Sequence, residues 1–275
     1  MVHHLPRFLR RWIRRLRDLP LRWRERAELR RMLGPTAARQ LGWSAFAYPI
    51  GDTRDAPGPL TSIQLPGVLH PFWFRHGTSD VLAIKQLFVQ LEYRRLQGLP
   101  DIHTIFDIGA NIGAAAVMLL SIFPQARLIA VEPEPTNVAV LRRNLEPYGT
   151  RAMILEAAVW PTAMPLEVVK HQFRDGLDWS NQVKPAVSST ESVRGMTIEQ
   201  MMAEAKVECI DLLKMDVEGA ELPVLQGDTS WFRKVKHLCI ELHGEEHAKA
   251  LEKALASYRY RKVVEGETVY CHEIS

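Results

Sequence analysis

From about residue 103 the chain alternates short apolar runs with amphipathic stretches, and this rhythm leaves few folds open. "HTIFDIG", "ARLIAVEP", "RAMILEAAV", "ECIDLLKMDV" and "KHLCIELH" are near-continuous hydrophobic strands. Helical stretches separate them, among them "IGAAAVMLLSIF", closed by Pro124, and "PTNVAVLRRNLEPYG", with Pro135 near its first turn. Strands apolar on both sides belong to a parallel sheet covered on both faces. The carboxyl end breaks the rhythm: "RYRKVV" and "TVYCHEI" flank "EGE", which predicts an antiparallel hairpin. Plain dinucleotide-binding halves continue with parallel strands instead. The expected fold is therefore α/β, a Rossmann-like doubly wound sheet with an antiparallel C-terminal hairpin.

The amino-terminal part reads differently, and the expected boundary puts an extension and linker at 1–60 and the sheet domain at 61–275. Residues 1–34 hold 11 Arg against Asp18, Glu25 and Glu28, a net +8 that leaves −5 for the rest of a chain whose total is +3. Leu5, Phe8, Leu9, Trp12, Ile13 and Leu16 recur at helical spacing among the arginines, predicting a basic amphipathic helix that ends near Pro20. Such a helix either packs on its own domain or a partner, or lies on an anionic membrane surface. No nucleic-acid recognition motif accompanies it. "PIGDTRDAPGPL" (49–60) is a loop, and "TSIQLPGVLHPFWFR" two short strands around Pro66–Gly67. "GTSD" offers an N-cap for a helix over roughly 80–97. Residues 170–195 read as a long loop over an active site, with His171, Trp179 and Asn181 as candidates to grip a sugar ring.

Three well-separated cysteines without CxxC or Cys/His spacing support neither a disulfide framework nor a zinc site, and fit a reducing cytoplasm. No apolar run approaches the length of a membrane span, and no apolar h-region follows the arginines. The expected location is the cytoplasm, peripheral to the inner membrane face if the arm binds lipid.

The chemistry concentrates at strand ends. "FDIGANIG" (106–113) is a glycine-rich turn between a strand and a helix. Gly109 and Gly113 allow close backbone approach, and Asn111 tolerates a left-handed turn. Asp107 at the strand end repels a pyrophosphate and attracts an ammonium. Glu132 ends the next strand, where an acid takes ribose hydroxyls in doubly wound folds. Together they favour a nucleoside with a cationic, zwitterionic tail, S-adenosylmethionine, over a dinucleotide.

The stretches "RHGTSD" (75–80), "FDIGANIG", "VEPEP" (131–135), "IDLLKMDVEGAE" (210–221) and "IELHG" (240–244) resemble the FkbM family of class I S-adenosylmethionine-dependent methyltransferases, over roughly residues 65–245. The resemblance implies a seven-stranded Rossmann-like sheet and O-methylation of a hydroxyl on a sugar, glycan, glycolipid or natural-product acceptor. It also implies cofactor contacts at Asp107, Gly109, Asn111, Gly113 and Glu132, with the third strand end, "EAAV" including Ala157, along the adenine. The basic arm has no counterpart in that family core.

In such a topology Asp216 stands beside the sulfonium and the incoming hydroxyl. An unassisted alcohol is a poor nucleophile, so a carboxylate or imidazole within reach is chemically sensible. Asp216, Glu218 and His243 are the candidates around the acceptor, with the choice of base open. Glu241 shares a strand face with His243, and a divalent ion held by Asp216, Glu218, Glu241 and His243 is the less favoured alternative, since no diagnostic metal spacing is present. Glu221 is explained by a helix N-terminus, and Lys214 by an internal ion pair with Asp216. Tyr93 is a weaker candidate for the methionine end. The competing functions are a nicotinamide-dependent oxidoreductase, disfavoured by Asp107 and GxNxG, and a non-catalytic nucleoside-binding module.

Overall fold

The computed structural model describes residues 19–47, 58–169, 182–186 and 192–275. Helix α1 (Leu19–Ala47) precedes an antiparallel pair, β1 (Leu60–Ile63) and β2 (Phe72–Arg75), and helix α2 (Asp80–Phe88). Strand–helix units follow: β3 (Thr104–Ile108), α3 (Ala114–Ile122), β4 (Arg127–Val131), α4 (Pro135–Leu145) and β5 (Ala152–Leu155). Next come β6 (Ala158–Val159), β7 (Met164–Val169), β8 (Gln182–Pro185), β9 (Val193–Met196) and α5 (Ile198–Ala205). The chain ends with β10 (Ile210–Met215), α6 (Glu221–Gln226), β11 (Val235–Glu241), α7 (Glu245–Ala254), β12 (Arg261–Glu265) and β13 (Thr268–His272).

Seven strands form the main sheet in the order β12-β13-β11-β10-β3-β4-β5. β13 runs antiparallel to both its neighbours, β11 and β12, while β11, β10, β3, β4 and β5 are parallel. The expected hairpin is thus part of the sheet, and the order reverses between β3 and β10, where a doubly wound sheet opens its ligand crevice. Alternation along each strand feeds two cores. Ile105, Leu212 and Tyr270 face one core with α2, α3 and α4; Phe106, Ile108, Leu213 and Met215 face the other with α5 and α7. Thr197 caps α5 in a reciprocal box with Gln200.

Two expectations need correction. The stretch 170–195 holds more than a loop: β8 and the start of β9 join β6 and β7 in a second sheet, ordered β6-β9-β7-β8. Residues 170–181, with His171, Trp179 and Asn181, lie outside the described residues. The helix expected over 80–97 stops at Phe88, because Leu91 turns left-handed (φ 57°) and residues 94–96 form a single 3₁₀ turn. The basic helix expected at 5–16, ending near Pro20, lies outside the described residues; among the described residues α1 begins at Leu19. Pro20 is the second residue of α1, in the first turn, where its missing N–H costs nothing. Farther along, Gly34 (φ 83°, ψ 166°) before Pro35 breaks α1 into two segments. Leu29, Leu33, Ala37, Ala38 and Leu41 of α1 are buried in the same core as Ile63 and Phe72, and Lys85 of α2 pairs with Glu25. Among the described residues, no helix is long and apolar enough to cross a membrane.

Candidate active site

A cavity of about 300 Å³ opens at the carboxyl ends of β3, β4, β10 and β11. One end is built from the turns after β3 and β4. Gly109, Asn111, Glu132 and Ala157 line it. Glu132, 5% exposed, organises this end: Oε2 accepts from the Asn111 N–H at 2.9 Å, and Oε1 from the Glu134 N–H at 3.0 Å and Asn137 Nδ2 at 3.2 Å. Burial pushes its carboxyl up to about 7 against these three donors. Asn111 holds the left-handed conformation expected of it, φ 50°. Gly109 is needed for a contact within the protein: a Cβ there would sit 1.8 Å from the Asp216 carbonyl oxygen. Gly113 does not line the cavity; a Cβ on it would sit 2.7 Å from Leu141 Cδ1, so its absence makes room for that side chain.

Asp107 is also set back from the cavity. It is fully buried, pairs across the sheet register with Lys214, and its Oδ1 lies 3.1 Å from Lys214 Nζ. Lys214 donates to the Gly109 carbonyl at 2.9 Å and reaches Asp216 Oδ2 at 3.8 Å. Burial opposes its charge, yet Asp107 and Asp216 hold its pKa above the ordinary lysine value. The ion pair expected of Lys214 is therefore present, with Asp107 as its nearer partner. This pair fixes the glycine turn from behind.

The other end of the cavity is acidic. Glu92, Asp216, Glu218, Glu241 and Glu267 line it. Burial, then Asp216, pushes the Glu241 carboxyl far up and the Glu92 carboxyl up to about 7. His243 does not line the cavity; its Nε2 lies 3.6 Å from Glu218 and 3.7 Å from Glu221. Asp216, Glu241 and His243 each bring one ligand-capable atom within 4.8 Å of the others, a set able to hold a divalent ion. Glu221, the first residue of α6, accepts from the Val217 and Gly219 N–H groups at 2.8 Å each, so it closes the "DVEGAE" turn. Glu92 and Tyr93 come from the segment after α2, tied down by the Tyr270 hydroxyl donating to the Glu92 carbonyl at 2.8 Å. Glu92 and Glu267 are cavity residues that sequence reasoning missed. Neither belongs to a motif; one follows a helix and the other sits in a hairpin turn.

A mostly parallel sheet of this order with one inserted antiparallel strand is the Rossmann-like fold of class I methyltransferases. Residues 107–262 match the methyltransferase FkbM domain, and the chain belongs to that family. It is similar to 2-O-methyltransferase NoeI of Sinorhizobium fredii, 29% identical over 186 residues, 62% of this chain and 73% of the relative. It is also similar to the hexuronic acid methyltransferase AglP of Haloferax volcanii, 23% identical over 153 residues, 55% of this chain and 61% of the relative. Among solved structures, the METTL16 methyltransferase domain aligns with a TM-score of 0.44 at 11% identity, covering 87% of this chain and 78% of its own.

Proposed function

We propose that this methyltransferase binds S-adenosylmethionine in the cavity and methylates a hydroxyl of a sugar, glycan, glycolipid or natural-product acceptor, with Asp216 as the base. The observation that carries the reading is the division of the cavity into a Glu132–Asn111 end and a carboxylate end at Asp216–Glu241. The residues fit the cofactor. An acidic wall suits its ammonium and sulfonium, and Glu132 keeps acceptor capacity on Oε2 beyond its own three bonds, since a carboxylate offers about four lone-pair sites. Small residues, Ala157 and Ala158, line the wall expected to meet the adenine. Asp107 serves through Lys214, and Gly113 through helix packing, without touching the cofactor.

When bound, S-adenosylmethionine supplies a methyl group activated by its positive sulfur. The chain's task is to orient the acceptor oxygen and take its proton. Asp216 has a side chain 26% exposed, opens into the cavity and leans on Lys214. Glu241, with its raised pKa, hydrogen-bonds Asp216 and holds it in place. Glu218 lines the acceptor side, and His243 stands behind it. A hydroxyl acceptor agrees with the 2-O transfer in the name of one relative, and a sugar with the hexuronic acid in that of another.

A pH dependence follows from the raised carboxyls. Burial pushes the Glu92 and Glu132 carboxyls up to about 7 in the folded chain, and a cationic cofactor with ribose hydroxyls binds their ionised forms. Cofactor affinity should rise from pH 6 to 8, by up to about tenfold per pH unit for each proton released. The empty protein should show the opposite slope. A carboxyl raised on folding contributes stability that is full below its unfolded pKa and lost as pH climbs to about 7. Calorimetry in buffers of different ionisation enthalpy checks this; a flat affinity with no proton release would refute it.

The arm is proposed to contact anionic membrane through residues 1–34, against the background of a helix whose later turns are packed. Deleting 1–34 removes a net +8 together with buried Leu29 and Leu33. The truncated protein should lose pelleting with anionic vesicles at low salt. It should also unfold at lower urea, by an amount comparable to two core leucine truncations at about 2–5 kcal/mol each. Full-length protein that ignores such vesicles would end the membrane reading.

A further inference from the structure

We propose that Arg75 is a positioning residue for the cofactor's ribose site, acting through Asn137 on Glu132; this rests on the reading of Glu132 given above. Arg75 lies at the end of β2, ahead of the span 107–262 that matches the family domain.

The chain of contacts is continuous. Asp80, fully buried, grips the Arg75 guanidinium with both oxygens: Nε to Oδ2 at 2.9 Å and Nη2 to Oδ1 at 2.8 Å. Asp80 Oδ2 also accepts the Arg75 backbone N–H at 2.7 Å, so the same carboxylate fixes side chain and strand end together. The guanidinium then reaches the first turn of α4, to Thr136 Oγ1 at 3.3 Å and Asn137 Oδ1 at 2.7 Å. Asn137 passes the orientation on: its Nδ2 donates to Glu132 Oε1 at 3.2 Å.

Direction is built into the donors. A guanidinium only donates, so it accepts no other orientation of the Asn137 amide than oxygen toward Arg75 and NH₂ toward Glu132. Turned the other way, the amide would set donor against donor at Arg75 and oxygen against oxygen at Glu132. Arg75 thereby holds one side of the Glu132 carboxylate, and the Asn111 N–H holds the other. A lysine keeps the charge opposite Asp80 but lacks the planar fork needed to hold Asp80 and Asn137 together.

The test compares binding of S-adenosylmethionine with binding of an analogue lacking both ribose hydroxyls, by calorimetry on the full chain. The wild type should prefer the parent by on the order of 30-fold, the worth of a hydrogen bond to a charged group. Arg75→Lys should lower affinity for the parent about tenfold and leave the analogue unchanged, as a displaced charge-assisted bond would. Asn137→Ala should reproduce that pattern, and the double variant should be no worse than either single one. An Arg75→Lys protein that keeps the full wild-type preference, or loses affinity for both ligands equally as general loosening would cause, overturns the role of Arg75 while the reading of Glu132 stands. A wild type that binds both ligands equally overturns the ribose reading itself. If Arg75→Lys does not fold, Asn137→Ala, which leaves the Arg75–Asp80 pair in place, decides by the same comparison.

Discussion

A Glu132→Ala protein is expected to lose S-adenosylmethionine binding by roughly 100-fold or more. Part of the loss is direct, since a hydrogen bond from a ligand hydroxyl to a carboxylate is worth about 1.5–3 kcal/mol. The rest is indirect. The Asn111 N–H, the Glu134 N–H and Asn137 Nδ2 all donate to Glu132, and alanine leaves each without that acceptor. The glycine turn after β3 and the start of α4 then lose their common anchor, so the melting temperature should fall as well. Glu132→Gln separates the two effects. Its amide oxygen can still accept on the Glu134 and Asn137 side, but its NH₂ would then face the Asn111 N–H, donor against donor. The glutamine protein should therefore keep most of its stability while binding the cofactor poorly. Calorimetry and thermal melts on both variants check this, and unchanged cofactor affinity in either would remove Glu132 from the site.

Asp216→Asn should show the converse pattern. The amide keeps the size and one acceptor of the carboxylate but cannot take a proton from an alcohol at neutral pH. Turnover should fall by about 10²–10⁴-fold, the usual worth of a general base, with cofactor affinity kept within a few-fold. A chelator-treated wild type should remain active. Activity lost to chelator and restored by magnesium would instead make Asp216, Glu241 and His243, already within 4.8 Å of one another, a metal site. The two outcomes are exclusive, because a base-only site has no use for the ion.

Much of this protein was legible along the chain. The parallel strands showed themselves because both faces are buried and each strand is mostly apolar; the hairpin showed itself because its tight turn is local. Gly109, Asn111 and Glu132 could be placed at the cavity because strand-end turns in a doubly wound sheet converge on one crevice, so topology converts position along the chain into position in space. Asp107 was placed at the strand end correctly, but its neighbour across the sheet was not evident. Only β10 lying in register with β3 sets Lys214 against it, withdraws it from the cavity and turns it into a support for the glycine turn.

What tertiary structure alone decided has a common physical cause: it depends on groups far apart in sequence meeting in a low-dielectric interior. The small sheet of β6 to β9 is made by pairing strands only two to six residues long, so periodicity carries little signal. Glu92 and Glu267 become cavity acids only because a segment after α2 and the turn before β13 fold over the same strand ends. Arg75 reaches α4 only because β2 packs there, 62 residues away from Asn137 along the chain. The sequence by itself determined the sheet, its crevice and the strand-end acid Glu132 that lines it. Burial and long-range pairing decided which acids face the cavity, which are held behind it, and what holds them, because desolvation and hydrogen bonding act on neighbours in space.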